Sequence, residues 1–97
     1  MGNPAFRTFR NSAGFSDPVD LPSGWYSVIL FADAWGNATL QVGDGTNWFS
    51  AVDSSGNAIT ATANRAVSVA GGLMYRLNVA SVSGGNMITA NFYRSAD

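Results

Sequence analysis

The chain has 97 residues and a formal net charge of −1. That is enough for one small domain, and too nearly neutral for the basic surface that nonspecific nucleic-acid binding needs. All eleven charged residues are Arg or Asp, with no Lys, Glu, His or Cys. The usual charged residues of exposed helix faces are therefore missing, along with most groups used as general bases, nucleophiles and metal ligands. The expectation is a helix-free domain that is not an enzyme and carries no metal, cofactor or disulfide. No apolar run approaches the roughly 20 residues of a membrane-spanning helix, so no membrane partner is expected.

Residues 1–21 read as an N-terminal arm. They hold Pro4, Gly14 and Pro18, the repeated pairs Phe6-Arg7 and Phe9-Arg10, and a turn at Ser16-Asp17-Pro18. Three phenylalanines (Phe6, Phe9, Phe15) make the arm too apolar for a flexible linker, so it should dock on its own domain or on a neighbour. A short strand fits Phe6–Arg10. The start of the chain lacks the apolar stretch of a signal peptide, and Ala5-Phe6 does not fit a myristoylation motif after Gly2. Synthesis and retention in a cytoplasm are expected.

From residue 24 the hydrophobic period is two. In Trp25–Ala34, Tyr26, Val28, Leu30 and Ala32 form an apolar face, and Trp25, Ser27, Ile29, Phe31 and Asp33 a mixed one. Ala38, Leu40 and Val42 then alternate with Asn37, Thr39 and Gln41. Such alternation marks an antiparallel sheet with one buried face. Further strands are predicted at Asn47–Asp53, Ala58–Ala63, Arg65–Ala70, Leu73–Val82 and Met87–Arg94. Their inward residues are predicted as Trp48, Val52, Ile59, Val67, Val69, Tyr75, Leu77, Val79, Ile88, Ala90 and Phe92. Between them lie the turns Trp35-Gly36-Asn37, Asp44-Gly45, Ser55-Gly56-Asn57, Gly71-Gly72 and Gly84-Gly85-Asn86. Residues 22–97 are thus predicted to form a small antiparallel β-sandwich or jelly roll of seven to eight strands.

Five candidate sites follow. Trp25, Trp35 and Trp48 could stack sugar rings, but Trp48 is expected in the core with Trp25 over its edge, leaving Trp35 as the exposed contact residue. Three large apolar groups on the mixed face (Trp25, Ile29, Phe31) need a cover, either the second sheet, the arm or another subunit. The outward side of the Leu73–Val82 strand, with Met74, Arg76, Ala80 and Val82, raises the same question. Asp17, Asp33, Asp44 and Asp53 could be offered to calcium, yet Asp44-Gly45 is far more common as a hairpin turn. Arg7 and Arg10 could meet carboxylates of a neighbouring subunit, and Arg76, among apolar neighbours, calls for a carboxylate such as Asp33.

A run of short motifs stands in a recognisable order: Gly24-Trp25-Tyr26-Ser27-Val28, Gly36-Asn37-Ala38-Thr39-Leu40-Gln41-Val42, Asn47-Trp48 and Ala70-Gly71-Gly72-Leu73-Met74-Tyr75-Arg76-Leu77. In this order residues 22–95 resemble the small β-sandwich structural proteins of tailed bacteriophages. The resemblance implies a virion component made in the host cytoplasm. It would be a head decoration (cement) protein on the capsid exterior that bridges subunits of the major capsid protein. A homotrimer is expected, with Phe6, Arg7, Phe9, Arg10, Phe15, Trp25, Ile29, Phe31, Trp35, Met74 and Arg76 as interface candidates. The alternative is a head-fibre or tail module that binds a glycan through Trp35, Asn37, Thr46 and Asn47. Deleting residues 1–21 is expected to abolish capsid attachment and leave the sandwich folded.

Overall fold

A computed structural model describes residues 5–32, 36–53, 55–82 and 87–94. Their regular structure is all strand: β1 (Ala5–Arg10), β2 (Gly14–Phe15), β3 (Val19–Asp20), β4 (Trp25–Ala32), β5 (Asn37–Gly43), β6 (Trp48–Ser50), β7 (Thr60–Ala61), β8 (Arg65–Ala70), β9 (Met74–Ser81) and β10 (Ile88–Arg94). The period-two segments of the sequence fold as read. β4 buries Tyr26, Val28 and Leu30 and exposes the residues between them, while β9 buries Tyr75, Leu77 and Val79.

The strands form two antiparallel sheets. The front sheet has the order β1-β10-β4-β8, and the back sheet runs β2-β9-β5-β6, with β3 also on β9 and β7 also on β5. β2 and β3 are two pieces of one edge strand, interrupted at Ser16-Asp17-Pro18. β6 and β7 are likewise two pieces of the opposite edge, separated by an excursion through residues 51–59 that carries its own bridge, Val52 to Ala58. Counted by ladder, eight strands pass between the sheets in the order of a jelly roll.

Between the sheets lie Tyr26, Val28, Leu30, Leu40, Ile59, Leu77, Val79, Ile88 and Phe92, all essentially inaccessible to water. Burying each of the larger apolar side chains contributes about 1.5–3 kcal/mol before chain entropy is charged against it. The predicted inward set is mostly correct, with two exceptions. The four-residue Asp44–Asn47 turn sets Trp48 opposite Gly43, which puts its ring on the outer face of the back sheet. Val52 lies in the edge excursion and is exposed.

The boundary drawn at residue 21 is corrected by strand pairing. β1 pairs with β10 along its whole length as the edge of the front sheet, and β2 and β3 pair with β9 at the edge of the back sheet. Leu21 is fully buried. The segment docks on its own domain because its residues alternate to match both sheets. A hydroxyl cluster ties the two edges together. Thr8 on β1 donates to Ser16 Oγ at 2.5 Å, and Ser16 Oγ also accepts the Leu77 N–H of β9 at 2.9 Å. Ser16 N–H in turn donates to the Leu77 carbonyl at 2.9 Å, so the break between β2 and β3 costs no buried backbone bond there.

At the turn joining β8 to β9, Gly71 donates its N–H to the Gly24 carbonyl at 2.6 Å. A Cβ at Gly71 would overlap the Pro22 carbonyl oxygen and the Tyr26 ring, so only glycine fits this approach. Tyr26 packs edge-to-face against Phe6, with ring centroids 6.4 Å apart. Its phenol oxygen is the buried side-chain polar atom without a hydrogen-bond partner among the described residues. A buried hydroxyl with no partner opposes folding, so Tyr26→Phe is expected to match or exceed the wild-type stability in urea denaturation. A loss above about 1 kcal/mol would mean that the hydroxyl is hydrogen-bonded after all.

Candidate functional site: the outer face of the front sheet

The front sheet has one face on the core, and the residues between the buried ones point away from it. Strand register sets them in rows across the sheet: Phe9, Thr89 and Phe31; then Arg7, Asn91, Ile29 and Ala66; then Tyr93, Ser27 and Ser68; then Trp25 and Ala70. Phe9 is 49% exposed, Trp25 59%, Ile29 40%, Phe31 38% and Tyr93 37%. The back sheet lies on the opposite side, and β1 extends this sheet sideways instead of folding over it. Neither cover considered for Trp25, Ile29 and Phe31 within the chain is therefore in place among the described residues.

Strand spacing and rise make the face about 14 Å across and about 20 Å long. At about 280 Å² it approaches the lower end of the largest patches of ordinary monomers, which are often functional. One polar line crosses it. Arg7 Nε donates to Asn91 Oδ1 at 3.1 Å, and Asn91 Nδ2 donates to the Tyr93 hydroxyl at 3.2 Å. Asn91 and Thr89 are nearly buried by the large side chains beside them. Among the described residues Arg7 makes no other hydrogen bond, which leaves guanidinium donors suited to a carboxylate on an opposing surface.

The other candidates fall elsewhere. Phe6 points inward against the core. Arg10 closes the turn after β1, donating to the carbonyls of Ser12 and Ala13, each at 3.2 Å. Phe15, Met74 and Arg76 lie on the outer face of the back sheet. There the Arg76 guanidinium sits 3.9 Å from the centre of the Phe15 ring and 4.3 Å from that of Trp48, and it donates to Gln41 Oε1 at 2.8 Å. Among the described residues Arg76 is held by two rings and an amide, with no carboxylate beside it, an arrangement open to a planar, weakly hydrated cation. Asp33 and Trp35 lie outside the described residues. Eight of the eleven interface candidates therefore lie on the two outer faces, and five of them (Arg7, Phe9, Trp25, Ile29, Phe31) are brought together on the front sheet.

A third feature was not read from the sequence. Where β6 and β8 diverge, an apolar cleft of about 430 Å³ opens between the sheets. Val42, Val69 and Tyr75 line it together with the more exposed Phe49, Val52, Leu73 and Trp25. Burial pushes the Tyr75 phenol above its ordinary pKa, and the hydroxyl donates to the Ala70 carbonyl at 2.6 Å. Phe49 alternates correctly for the core, opposite Val42. It is 62% exposed because no strand lies beyond it among the described residues.

Asp44 and Asp53 serve turns. Asp44 Oδ1 accepts the N–H groups of Thr46 at 2.9 Å and Asn47 at 2.8 Å, and these bonds hold its carboxyl below the usual pKa. Whatever stability this lends is present above the unfolded-state pKa and fades as pH falls through the lowered folded value. Asp53 accepts from Ser55 and Asn57 in the same way and lies 3.9 Å from Arg65. Among the described residues no group of acidic side chains could hold a metal ion. Against known proteins, no family model, no curated protein and no solved structure matches this chain.

Proposed function

We propose that the protein is a noncatalytic structural component of a bacteriophage virion, of the decoration (cement) type to which its motifs bear resemblance. In this reading it sits on the capsid exterior and bridges subunits of the major capsid protein. The observation that carries it is the outer face of the front sheet. An aromatic surface built on paired strands and backed by a packed core can bury area against another protein without first ordering itself. Phe9, Phe31, Ile29, Trp25 and Tyr93 supply the apolar contact, and Arg7 a charge-assisted anchor. Many such contacts repeated over one shell add up to firm attachment even where each is weak.

The test is co-sedimentation with empty heads assembled from the major capsid protein of the same genome. Wild-type protein is expected to pellet with the heads. A Phe9→Ser, Phe31→Ser double variant, checked for a native melting transition, should stay in the supernatant. Failure of the wild type to bind would overturn the reading. The exposed Trp25 beside Phe49 and the cleft favours one second reading, a glycan- or receptor-binding module of a head fibre or tail. Saccharide binding lost in Trp25→Ala, without head binding, would support it.

A further inference from the structure

Four strand edges border the two sheets, and three of them are guarded. β1 carries Arg7 and Arg10, the β2/β3 edge is broken at Asp17-Pro18, and the β6/β7 edge is broken by the excursion through residues 51–59. β8 differs. It runs unbroken from Arg65 to Ala70 with no proline and no bulge, and its one charged residue stands at its start. The Arg65 side chain turns toward the back sheet, where it donates to the Thr60 carbonyl at 2.9 Å and faces Asp53. A straight, uncharged edge of this kind is a template for another strand.

Which backbone groups β4 leaves unbonded follows from the register. Gly71 N–H bonds the Gly24 carbonyl, so Gly71 and Gly24 form a hydrogen-bonded pair, and such pairs alternate along an antiparallel ladder. Val67 and Val69 therefore direct their N–H and C=O groups at β4. Ala66, Ser68 and Ala70 direct theirs away from it. The Tyr75 hydroxyl reaches the Ala70 carbonyl from that open side, and a carbonyl oxygen has a second lone pair to offer.

The strand is also symmetric. Ala66-Val67-Ser68-Val69-Ala70 reads the same in both directions. When a second copy lies antiparallel with Ser68 opposite Ser68, Ala66 meets Ala70 and Val67 meets Val69. The outward-facing groups of residues 66, 68 and 70 then fall into mutual hydrogen-bonded pairs. A two-fold contact demands such self-complementarity. The same register carries the valines of the second copy over the open side of the cleft, against Phe49, Val52 and Leu73.

We propose that β8 is a homodimerisation edge, pairing antiparallel with β8 of a second copy about a two-fold axis at Ser68. The product is a continuous eight-stranded front sheet. Because the axis is perpendicular to that sheet, both aromatic faces look the same way and form one double-width platform. This stoichiometry is two-fold, in place of the threefold assembly expected from the sequence.

Light scattering across a dilution series gives the mass directly, with twice the chain mass of 10.1 kDa expected. Ser68→Arg and Ser68→Asp place like charges opposite one another at the axis, so each alone is expected to be monomeric. An equimolar mixture should recover the dimer mass, a rescue particular to Ser68 meeting Ser68. Both substitutions point to solvent and leave the β4 ladder intact, and a cooperative melt checks that each is folded. Ser68→Pro removes only an outward N–H and is a charge-free disruption with the same expected outcome. A wild type that stays monomeric or forms a trimer overturns the proposal, as do variants that keep the dimer mass. None of these measurements involves a capsid. Phe9 and Phe31, which test head binding, have no β8 residue opposite them, so the two readings can fail separately.

Discussion

A protein lacking residues 1–21 is expected to be unfolded. The deletion removes β1 from the front sheet and the β2/β3 edge from the back sheet, so two ladders lose every bond on one side. It also takes away the fully buried Leu21, the half-buried Phe6 that covers Tyr26, and the Ser16 hydroxyl that satisfies the Leu77 N–H. Loss of Leu21 alone corresponds to about 2–5 kcal/mol, and a buried N–H left without a partner costs about 1–3 kcal/mol more. A domain of this size has roughly 5–15 kcal/mol in total. Circular dichroism and a thermal scan decide the matter. A cooperative transition in the truncated protein would show that the segment is dispensable to the fold.

The second large effect is expected at Phe92. It stands mid-strand in β10, flanked by Phe6 of β1 and Val28 of β4, and is completely buried. Its ring lies 5.7 Å from that of Tyr75 in the back sheet, so it joins the two layers at their centre. Strands on both sides hold the backbone, and the site has little freedom to collapse around a smaller residue. Phe92→Ala is therefore expected to cost about 3–5 kcal/mol. Phe92→Leu, which keeps most of the volume, should cost less. Urea denaturation gives both values, and a loss below about 1 kcal/mol for the alanine variant would remove Phe92 from the core.

The sandwich was legible because period-two alternation is strong in β4, β5, β9 and β10, where each inward position is apolar. Less of the edges was legible. Residues 1–21 have proline, glycine and paired arginines, which look like an arm in isolation. Only the partner strands β9 and β10, more than fifty residues downstream, supply the reason that they are strands. Trp48 was placed on the wrong face because one residue of turn length reverses every later side chain until the next turn. Of the interface candidates, the sequence grouped Trp25, Ile29 and Phe31 correctly, since they share one strand. Arg7 and Phe9 join them through β10, and Tyr93 and Asn91 were missed because alternation within β10 says nothing of what flanks it. The cleft is a property of two diverging edges and has no local signature in either.

The pairing of β1 with β10 also governs how the molecule comes into being. The first strand of this fold rests against its last, and β2 and β3 rest against the last but one. On a ribosome the early residues emerge with no partner to meet: the back sheet cannot close until β9 has been made through residue 81, nor the front sheet until β10 has been made through residue 94. The protein must therefore acquire its structure late, as synthesis of this stretch ends, and on the milliseconds-to-seconds scale of domains dominated by distant pairings.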